Sequence, residues 1–307
     1  MNKIKIVDIG QSAFWIDVTG EATSTGEVKG IAFRADMDGL PLNEETGVEY
    51  TSTHPGKAHS CGHDGHMTIM TCFLEYILER LNLIPSNFNL RFLYQPAEEI
   101  LAGAKYLIEK NCLEGIHEIY GLHNISIIPL GMIGIVPGTI MAASTEFEIS
   151  IKGIGGHGSA PDKCHSPITC GSEIVNKLNQ ITSQEVDSSQ RSVLTIGTFK
   201  SGETCNVIPE NAFICGSIRT VNIETAPIIK EKIKCSCSGI GLSNSCQVDV
   251  NFPVNCSVTS NDEELYNKVM LPAISKTNFT KISSVLPALA SEDLHSTKKK
   301  YQEYFFF

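Results

Sequence analysis

Strand-like and helix-like stretches alternate along the first third of this chain, and this alternation restricts its fold more than any other feature. Residues 30–36, 89–95 and 118–123 are short, largely apolar segments of the kind that form buried strands. Apolar side chains recur at helical spacing between them, over residues 70–81 and 102–110. Because parallel strands need a crossover connection, strands separated by helices predict an α/β fold with a mostly parallel sheet.

The middle third has a different order of elements. The pattern predicts a strand, a helix, two strands, a helix and a strand, over residues 146–152, 168–181, 192–199, 212–220, 225–235 and 246–252. That β-α-β-β-α-β order is the split arrangement of ferredoxin-like domains. Proline-containing segments at residues 136–138 and 253–255 bracket the block. We therefore predict an inserted domain over residues 139–253, within a larger α/β domain made of residues 1–138 and 254–307.

Charge and composition exclude several classes of function. The 307 residues carry a formal net charge of -10, and the sequence has no basic patch that could neutralise the phosphates of a nucleic acid. It has no apolar run of about 18 residues that could span a membrane. The N-terminus lacks the apolar core of a secretory signal. Eleven cysteines in such a chain predict free thiols and a cytoplasmic location.

Polar side chains cluster after three of the predicted strands and before a predicted helix. The clusters contain Arg34, Asp36 and Asp38; His59, Cys61, His63, Asp64 and His66; Gln95, Glu98 and Glu99; and His123. Open α/β sheets bind ligands at the carboxyl ends of their strands, so we expect these clusters to converge. Thiolate, imidazole and carboxylate groups together are the ligands of a Zn²⁺ or Mn²⁺ site.

Simpler interpretations of these clusters stay open. The Cys/His cluster at residues 59–66 could be a structural zinc site, although no second ligand doublet follows it. Adjacent Glu98 and Glu99 could begin a helix, where acidic side chains interact favourably with the dipole. His59, Asp64 and His66 could support a metal site or be ordinary hydrogen-bonded core residues.

The motifs RADMDGLP, HSCGHDGHM, QPAEE and GLH, in this order and spacing, resemble those of the N-acyl-amino-acid amidohydrolases of the dinuclear-metal peptidase clan. That group includes hippurate hydrolases, auxin-conjugate hydrolases and N-acetyldiaminopimelate deacetylases. FEISIKGIGGHGSAP, TIGTFKSGETCNVIPENA and GSIRT in the predicted insert resemble the lid-domain motifs of the same family. The sequence SED at residues 291–293 resembles a late motif of that family, so the resemblance extends over nearly the whole chain.

The resemblance implies a metal-dependent amidohydrolase with two divalent ions, Mn²⁺ or Zn²⁺, acting on small N-acyl amino acids. The implied metal ligands are Cys61, His63, Glu99 and His123. Glu98 would be the general base toward a metal-activated water and then the general acid. Asp38 would orient a ligand or tune that base. His157 and Asn206 would bind the substrate or its oxyanion from the lid, through which two copies would form a homodimer.

Both ends of the chain depart from the family pattern. The Arg-x-x-His-x-x-Pro-Glu motif that opens family members is not present, and the sequence stops at Phe305-Phe306-Phe307, before the late His of the family. His295 follows Asp293, but its context does not match that ligand. Two alternatives to the amidohydrolase therefore stay open. One is a catalytically impaired, truncated homologue that acts as a binding or dimerisation module, and the other is a dipeptidase or carboxypeptidase.

Overall fold

The computed structural model describes residues 3–283, 286–297 and 302–306, with only the backbone for residues 295, 297 and 302–306. The chain divides into two compact units. The larger unit comprises Met1–Ile140, Thr259–Pro287 and Glu292–Phe307; the smaller unit, called the insert below, comprises Met141–Val258 and Ala288–Ser291. The side chain of His295 lies outside the described part of the chain. The expectation that His295 is not the late His ligand therefore stays a prediction.

The larger unit begins with alternating strands and helices. Its first segment contains β1 (Ile4–Gly10), β2 (Ala13–Thr19), β3 (Lys29–Asp36), α1 (His63–Leu78), β4 (Phe88–Gln95), α2 (Gly103–Glu109), β5 (Glu118–Leu122), β6 (Met132–Gly134) and β7 (Gly138–Met141). The three strands and the second helix predicted for the first third of the sequence are confirmed to within one residue at their ends, whereas α1 begins seven residues before its predicted start and ends three residues before its predicted end. The hairpin of β1 and β2 is an addition that the sequence analysis does not predict.

The insert contains the predicted order of elements with three short strands added. Its elements are β8 (Ala143–Lys152), β9 (Gly156–His157), α3 (Pro167–Gln180), β10 (Ser192–Ser201), β11 (Val207–Ile208), β12 (Asn211–Thr220), α4 (Thr225–Ser243), β13 (Gln247–Asn251) and β14 (Asn255–Cys256). The chain then returns to the larger unit through β15 (Thr259–Asn261), α5 (Glu263–Leu265), α6 (Leu271–Ile274), β16 (Thr280–Ile282) and β17 (Gln302–Phe306).

The main sheet lies in the larger unit. Its described strands have the order β1-β2-β4-β3-β5-β17. The β4–β3, β3–β5 and β5–β17 pairs are parallel, whereas the pairs β1–β2 and β2–β4 are antiparallel. The sheet is therefore mostly parallel, as predicted, with an antiparallel hairpin at one edge. In the β3–β4 register Asp36 is opposite Gln95, so the polar residues after both strands leave the sheet at the same edge.

Helix α1 begins with the sequence HDGH, residues 63–66. Its buried side chains are His63, His66, Met70 and Leu74. These positions are three or four residues apart, which places both histidines on the face of the helix that packs against the sheet. Gly62, before the helix, has a φ of 95°, and a Cβ atom there would lie 2.4 Å from Oδ1 of Asn124. Only glycine satisfies both requirements at this position.

The insert is a helix-on-sheet layer. Its strand order β10-β12-β8-β13 is that of a ferredoxin-like domain, with all three pairs antiparallel. Phe147, Ile149 and Ile151 alternate along β8 and are fully buried, because every second side chain of this strand points toward α3 and α4. Ile174 of α3 and Ile229 of α4 complete the same core.

Among the residues that the structure describes, no helix has the length and apolar character needed to cross a membrane. All eleven cysteines lie in the described segments, and none of them forms a disulfide bond there.

Candidate metal centre and active site

The predicted polar residues converge at one edge of the main sheet. Asp38 follows β3, Glu98 and Glu99 follow β4, and His123 follows β5, directly after the carboxyl ends of three adjacent parallel strands. The amino-terminal end of α1 brings His63 to the same place. The sheet therefore gathers residues from four separate parts of the sequence, as expected for an open α/β fold.

His63 is at the centre of this group and is completely buried. Its Nε2 atom lies 3.8 Å from Oε1 of Glu99 and 4.0 Å from Oε2 of Glu98. Its Nδ1 atom lies 3.3 Å from Oδ1 of Asp38. Oδ2 of Asp38 in turn accepts a hydrogen bond of 3.0 Å from the backbone N–H of Glu99. Asp38 thus contacts the imidazole of one predicted ligand and the backbone of another.

Cys61 and His123 complete the set of predicted ligands. Sγ of Cys61 lies 3.4 Å from Nε2 of His123. The donor atoms of Cys61, His63 and His123 all lie within 4.8 Å of one another, and the same holds for His63, Glu98 and Glu99. His63 belongs to both groups. The structure therefore brings together all four predicted ligands and the predicted base.

Unpaired polar atoms at this centre fit a divalent cation. Both ring nitrogens of His63, Oε1 of Glu99 and Oδ1 of Asp38 are buried and make no hydrogen bond to any residue that the structure describes. Each such atom costs about 1–3 kcal/mol unless a partner is supplied. One sulfur, two imidazoles and a carboxylate suit Zn²⁺ or Mn²⁺. The residues present therefore fit the metal that the sequence predicts.

Comparison with known proteins supports the family resemblance that the sequence motifs indicate. Residues 32–307 match the family described as peptidase family M20/M25/M40. The chain belongs to this family. A match over most of the chain, beginning within β3, covers every cluster described above and confirms the resemblance predicted from the motifs.

Two curated M20 relatives show how close the match is. An N-acetyldiaminopimelate deacetylase of Halalkalibacterium halodurans is 38% identical over 251 residues, which cover 80% of this chain and 67% of that protein. A hippurate hydrolase of Campylobacter jejuni is 36% identical over 273 residues, covering 85% of this chain and 70% of that protein.

A solved structure supports the fold. A dinuclear metal-binding peptidase of the M20 family from Bacillus subtilis superposes with a TM-score of 0.82 at 27% sequence identity. The alignment covers 99% of this chain and 78% of that one. The M20 assignment therefore stands on sequence and on fold together, and the family has members that bind two metal ions.

Electrostatics differ sharply between the two histidines of this M20 centre. Burial disfavours the charged form of His63, but its contacts with Asp38 and Cys61 and the charge of Asp36 raise its pKa to about 11. Burial and the neighbouring charge of His66 lower the pKa of His123 to about 4. His123 is thus ready to donate a lone pair, whereas His63 must first lose a proton.

The surroundings of Glu98 raise the pKa of its carboxyl group. Glu98 is buried, with 6% of its surface exposed to solvent. Burial, with the negative charges of Asp293 and Asp36, raises the pKa of Glu98 to about 7, although the charge of Arg34 opposes the shift. A carboxyl group with a pKa near neutrality can both accept and return a proton.

A buried layer beneath the metal centre was only partly anticipated from the sequence. Arg34 donates to Asp36 and Glu292, at 2.7 and 2.9 Å. His66 contacts Oδ1 of Asp36 through Nδ1 and Oδ1 of Asn124 through Nε2, at 2.5 and 2.8 Å. His66 is therefore buried and hydrogen-bonded beside the centre, which agrees with both alternatives left open above. Asn124 gives no signal in the sequence beyond its position after His123.

The Arg34 guanidinium forms ion pairs with two further buried carboxylates, those of Asp36 and Glu292. Asp36, Glu98 and Glu292 have oxygens within 4.8 Å of one another, as in a cation site. Arg34 already provides the positive charge there. Burial nevertheless raises the pKa of Glu292 well above its usual range. We therefore interpret these three carboxylates as part of a buried ion-pair network with Arg34 and not as a further metal site.

His59 and Asp64 do not reach the buried centre. Both are exposed, and Oδ1 of Asp64 accepts a hydrogen bond from the backbone N–H of Gly65 at 2.9 Å. They line part of a cavity of about 680 Å³ formed largely by the loop between β3 and α1.

His157 and Asn206 lie together in the insert. The short strands β9 and β11 pair with each other, with Val207 opposite His157. The backbone N–H of Gly158 donates to the carbonyl oxygen of Asn206 at 2.8 Å. Nδ1 of His157 contacts the hydroxyl of Ser159 at 2.8 Å. The two predicted substrate-binding residues are thus neighbours on one ribbon of the insert.

Proposed function

We propose that this chain hydrolyses the amide bond of small N-acyl amino acids, such as N-acetyl or N-benzoyl derivatives. The observation that carries the proposal is the position of Glu98, whose Oε2 atom lies 4.0 Å from Nε2 of the predicted ligand His63. An N-acetyl-L-cysteine deacetylase of Bacillus subtilis, 33% identical over 95% of this chain, supports the same class of substrate.

The proposed ligands for two divalent ions are Cys61, His63, Glu99 and His123. The thiolate favours Zn²⁺, and the carboxylate suits Mn²⁺ as well, so both are candidates. When bound, these ions supply Lewis-acid polarisation of the acyl carbonyl and lower the pKa of water. Nδ1 of His123 contacts the carbonyl oxygen of Asn124 at 2.8 Å, which orients Nε2 toward Cys61.

Glu98 is the proposed proton carrier. It accepts a proton from the attacking water and returns it to the leaving amine, so the carboxyl group ends the reaction in its initial state. Asp38 is the proposed orienting residue, through its contacts with His63 and the backbone of Glu99. His157 and Asn206 are proposed to bind the substrate or the oxyanion, since an imidazole and an amide can both donate hydrogen bonds.

We also propose that the insert forms a homodimer through β10. This ten-residue strand is at the edge of its sheet among the strands described, and its first eight residues, from Ser192 to Phe199, carry no charge. A long uncharged edge favours pairing with another strand. The cytoplasmic location remains a prediction from the sequence.

The test is a hydrolysis assay on the 307-residue chain supplied with Mn²⁺ or Zn²⁺. Amine release is measured from N-acetyl and N-benzoyl amino acids and, in parallel, from unmodified dipeptides. Glu98→Gln should lower kcat by about 10²- to 10⁴-fold while the metal content stays unchanged. Glu109→Gln, an exposed residue at the end of α2, is the matched control and should remain active.

The outcomes separate the three candidate functions. Cleavage of acyl amino acids that is lost in Glu98→Gln supports the proposal. Cleavage of dipeptides alone would favour a dipeptidase or carboxypeptidase. Binding of metal and acyl amino acids without turnover would overturn the proposal in favour of a catalytically impaired binding module.

A further inference from the structure

Asp293 occupies a position that neither the metal ligands nor the proposed base explains. It is 1% exposed, and it lies beneath the metal centre in the larger unit. Its carboxylate accepts hydrogen bonds from Arg34 Nη2 at 2.9 Å and from Gln95 Nε2 at 2.8 and 2.9 Å. Oδ2 also accepts from the backbone N–H of Ala104 at 2.8 Å. One side chain thus joins β3, the end of β4 and the start of α2.

Every partner that the structure describes for this carboxylate is a donor. Arg34 is itself fixed on a second side, because its Nε donates to Oε1 of Gln95 at 2.9 Å. The Gln95 amide therefore has one orientation, with its oxygen toward Arg34 and its nitrogen toward Asp293. A buried network whose donors and acceptors all match in this way has a single low-energy arrangement.

The network ends at Glu98. The backbone N–H of Asp293 points toward Oε1 of Glu98, with 3.4 Å between nitrogen and oxygen. The other oxygen, Oε2, faces Nε2 of His63 at 4.0 Å. One carboxylate oxygen of Glu98 is thus directed toward the protein, and the other is directed toward the proposed ligands.

The backbone on both sides of Glu98 also needs external support. Ala97 has a φ of 59° and Leu101 has a φ of 54°, both in the left-handed region that residues other than glycine rarely adopt. Such conformations persist where the surroundings fix them, and they cluster at functional sites. Gln95, two residues before Ala97, is the point at which Asp293 holds this segment.

We propose that Asp293 is a positioning residue for Glu98. Through Gln95 and Arg34 it fixes the loop after β4, and through its own backbone N–H it turns one oxygen of Glu98 away from the substrate, so that the other carries the proton. The inference rests on the proposed role of Glu98 as general base.

The first test is Asp293→Asn. An amide at this position must direct its NH₂ group at a donor, either Nη2 of Arg34 or the backbone N–H of Ala104, so the network cannot close again. We expect kcat to fall roughly 10- to 100-fold, with little change in KM and in metal content, because the base is misplaced while the ligands remain. Asp17→Asn is the matched control, since Asp17 is also held by an arginine, Arg91, in the same sheet. It should leave kcat unchanged.

A double-mutant cycle distinguishes an effect of Asp293 on the position of Glu98 from an effect on the general stability of the fold. In the variant Glu98→Asp the side chain at residue 98 is one methylene shorter, so its carboxylate loses the contact with the backbone N–H of residue 293. In that background Asp293→Asn should lower kcat by less than about twofold, because coupled residues are not additive. The same fold-change in both backgrounds would overturn the proposal. If Asp293→Asn does not fold, Gln95→Leu takes its place in the cycle, with a smaller loss of kcat expected.

A crystal structure of the Asp293→Asn variant gives a readout independent of turnover. Rotation of the Glu98 carboxylate away from its present position supports the proposal, and an unchanged carboxylate overturns it. If the unmodified chain cleaves none of the acyl amino acids, the proposed function fails, and this structure still decides whether Asp293 positions Glu98.

Discussion

Sγ of Cys61 lies 3.4 Å from Nε2 of His123, although 62 residues separate the two along the chain. Cys61 stands just before α1, and His123 stands just after β5. A thiol and an imidazole at this distance, beside the buried imidazole of His63, are a set of donor groups that fits a metal cation.

Replacement of the Cys61 thiol should weaken metal binding selectively. Cys61→Ser keeps the size of the side chain but removes the soft thiolate, so Zn²⁺ affinity should fall by more than about tenfold. Metal content after dialysis against a graded chelator measures the change. Cys72→Ser, at an exposed cysteine on α1, is the control and should bind metal normally. Equal affinity in the two variants would remove Cys61 from the ligand set.

Metal affinity should rise with pH. His63 has a pKa of about 11 in the metal-free chain, raised from 6.5, so its contribution to stability is complete below pH 6.5 and is lost as the pH rises through about 11. A metal ion must displace that proton, so binding improves as the pH rises. We expect at least about a tenfold gain in Zn²⁺ affinity per pH unit.

Chelator competition between about pH 6.5 and about pH 8 measures this slope, and calorimetry in two buffers counts the protons released. The slope should become shallower in His63→Gln. An affinity that does not depend on pH would mean that His63 keeps its proton and does not bind the metal.

His157 should affect turnover and not metal content. If its imidazole donates to the developing oxyanion, His157→Ala should lower kcat by about 10²- to 10³-fold. His165→Ala is the control, because His165 lies in the same unit and is bound to Ile154 through backbone hydrogen bonds that the substitution keeps. Normal turnover in His157→Ala would assign His157 a structural role in the ribbon of β9 and β11.

The oligomeric state should respond to a charge on the edge of the insert. Val193 on β10 is 39% exposed, and a lysine on an edge strand opposes pairing with a second strand. Val193→Lys should therefore shift a dimer toward monomer in sedimentation velocity. Val28→Lys changes another exposed valine in the larger unit and should not alter the sedimentation coefficient. A dimer that survives Val193→Lys would require a different interface.

The convergence of the polar clusters could be predicted because it follows from one local rule. The carboxyl ends of neighbouring parallel strands share one edge of a sheet, so the residues that follow β4 and β5, among them Glu99 and His123, leave the sheet at that edge. The predicted helix begins at residue 70, so the position of His63 and His66 on one buried face of α1 was not predicted, although their spacing is helical. Strand and helix periodicities of a few residues can be read from a single chain, and they locate the strand ends that carry the clusters.

The layer beneath the centre follows no such rule. Arg34 and Asp293 are 259 residues apart, and their contact depends on the path of the whole chain. The left-handed conformation of Ala97 also has no sequence signal, since alanine is not a residue that favours it. The hairpin of β1 and β2 was not among the predicted elements, although IKIVDIG and AFWIDVT on either side of a two-residue turn carry a strand-like pattern.

The 259-residue separation of Arg34 and Asp293 also has a consequence for synthesis on the ribosome. The insert is made almost entirely before residue 292 emerges, and its ends already meet where β14 pairs with β8. Folding it first roughly halves the length of flexible chain that the Arg34–Asp293 contact must close, which lowers the closure cost by about 0.6 kcal/mol. We therefore expect the insert to acquire protection from proteolysis in nascent chains before the larger unit does, with the support beneath Glu98 among the last contacts to form.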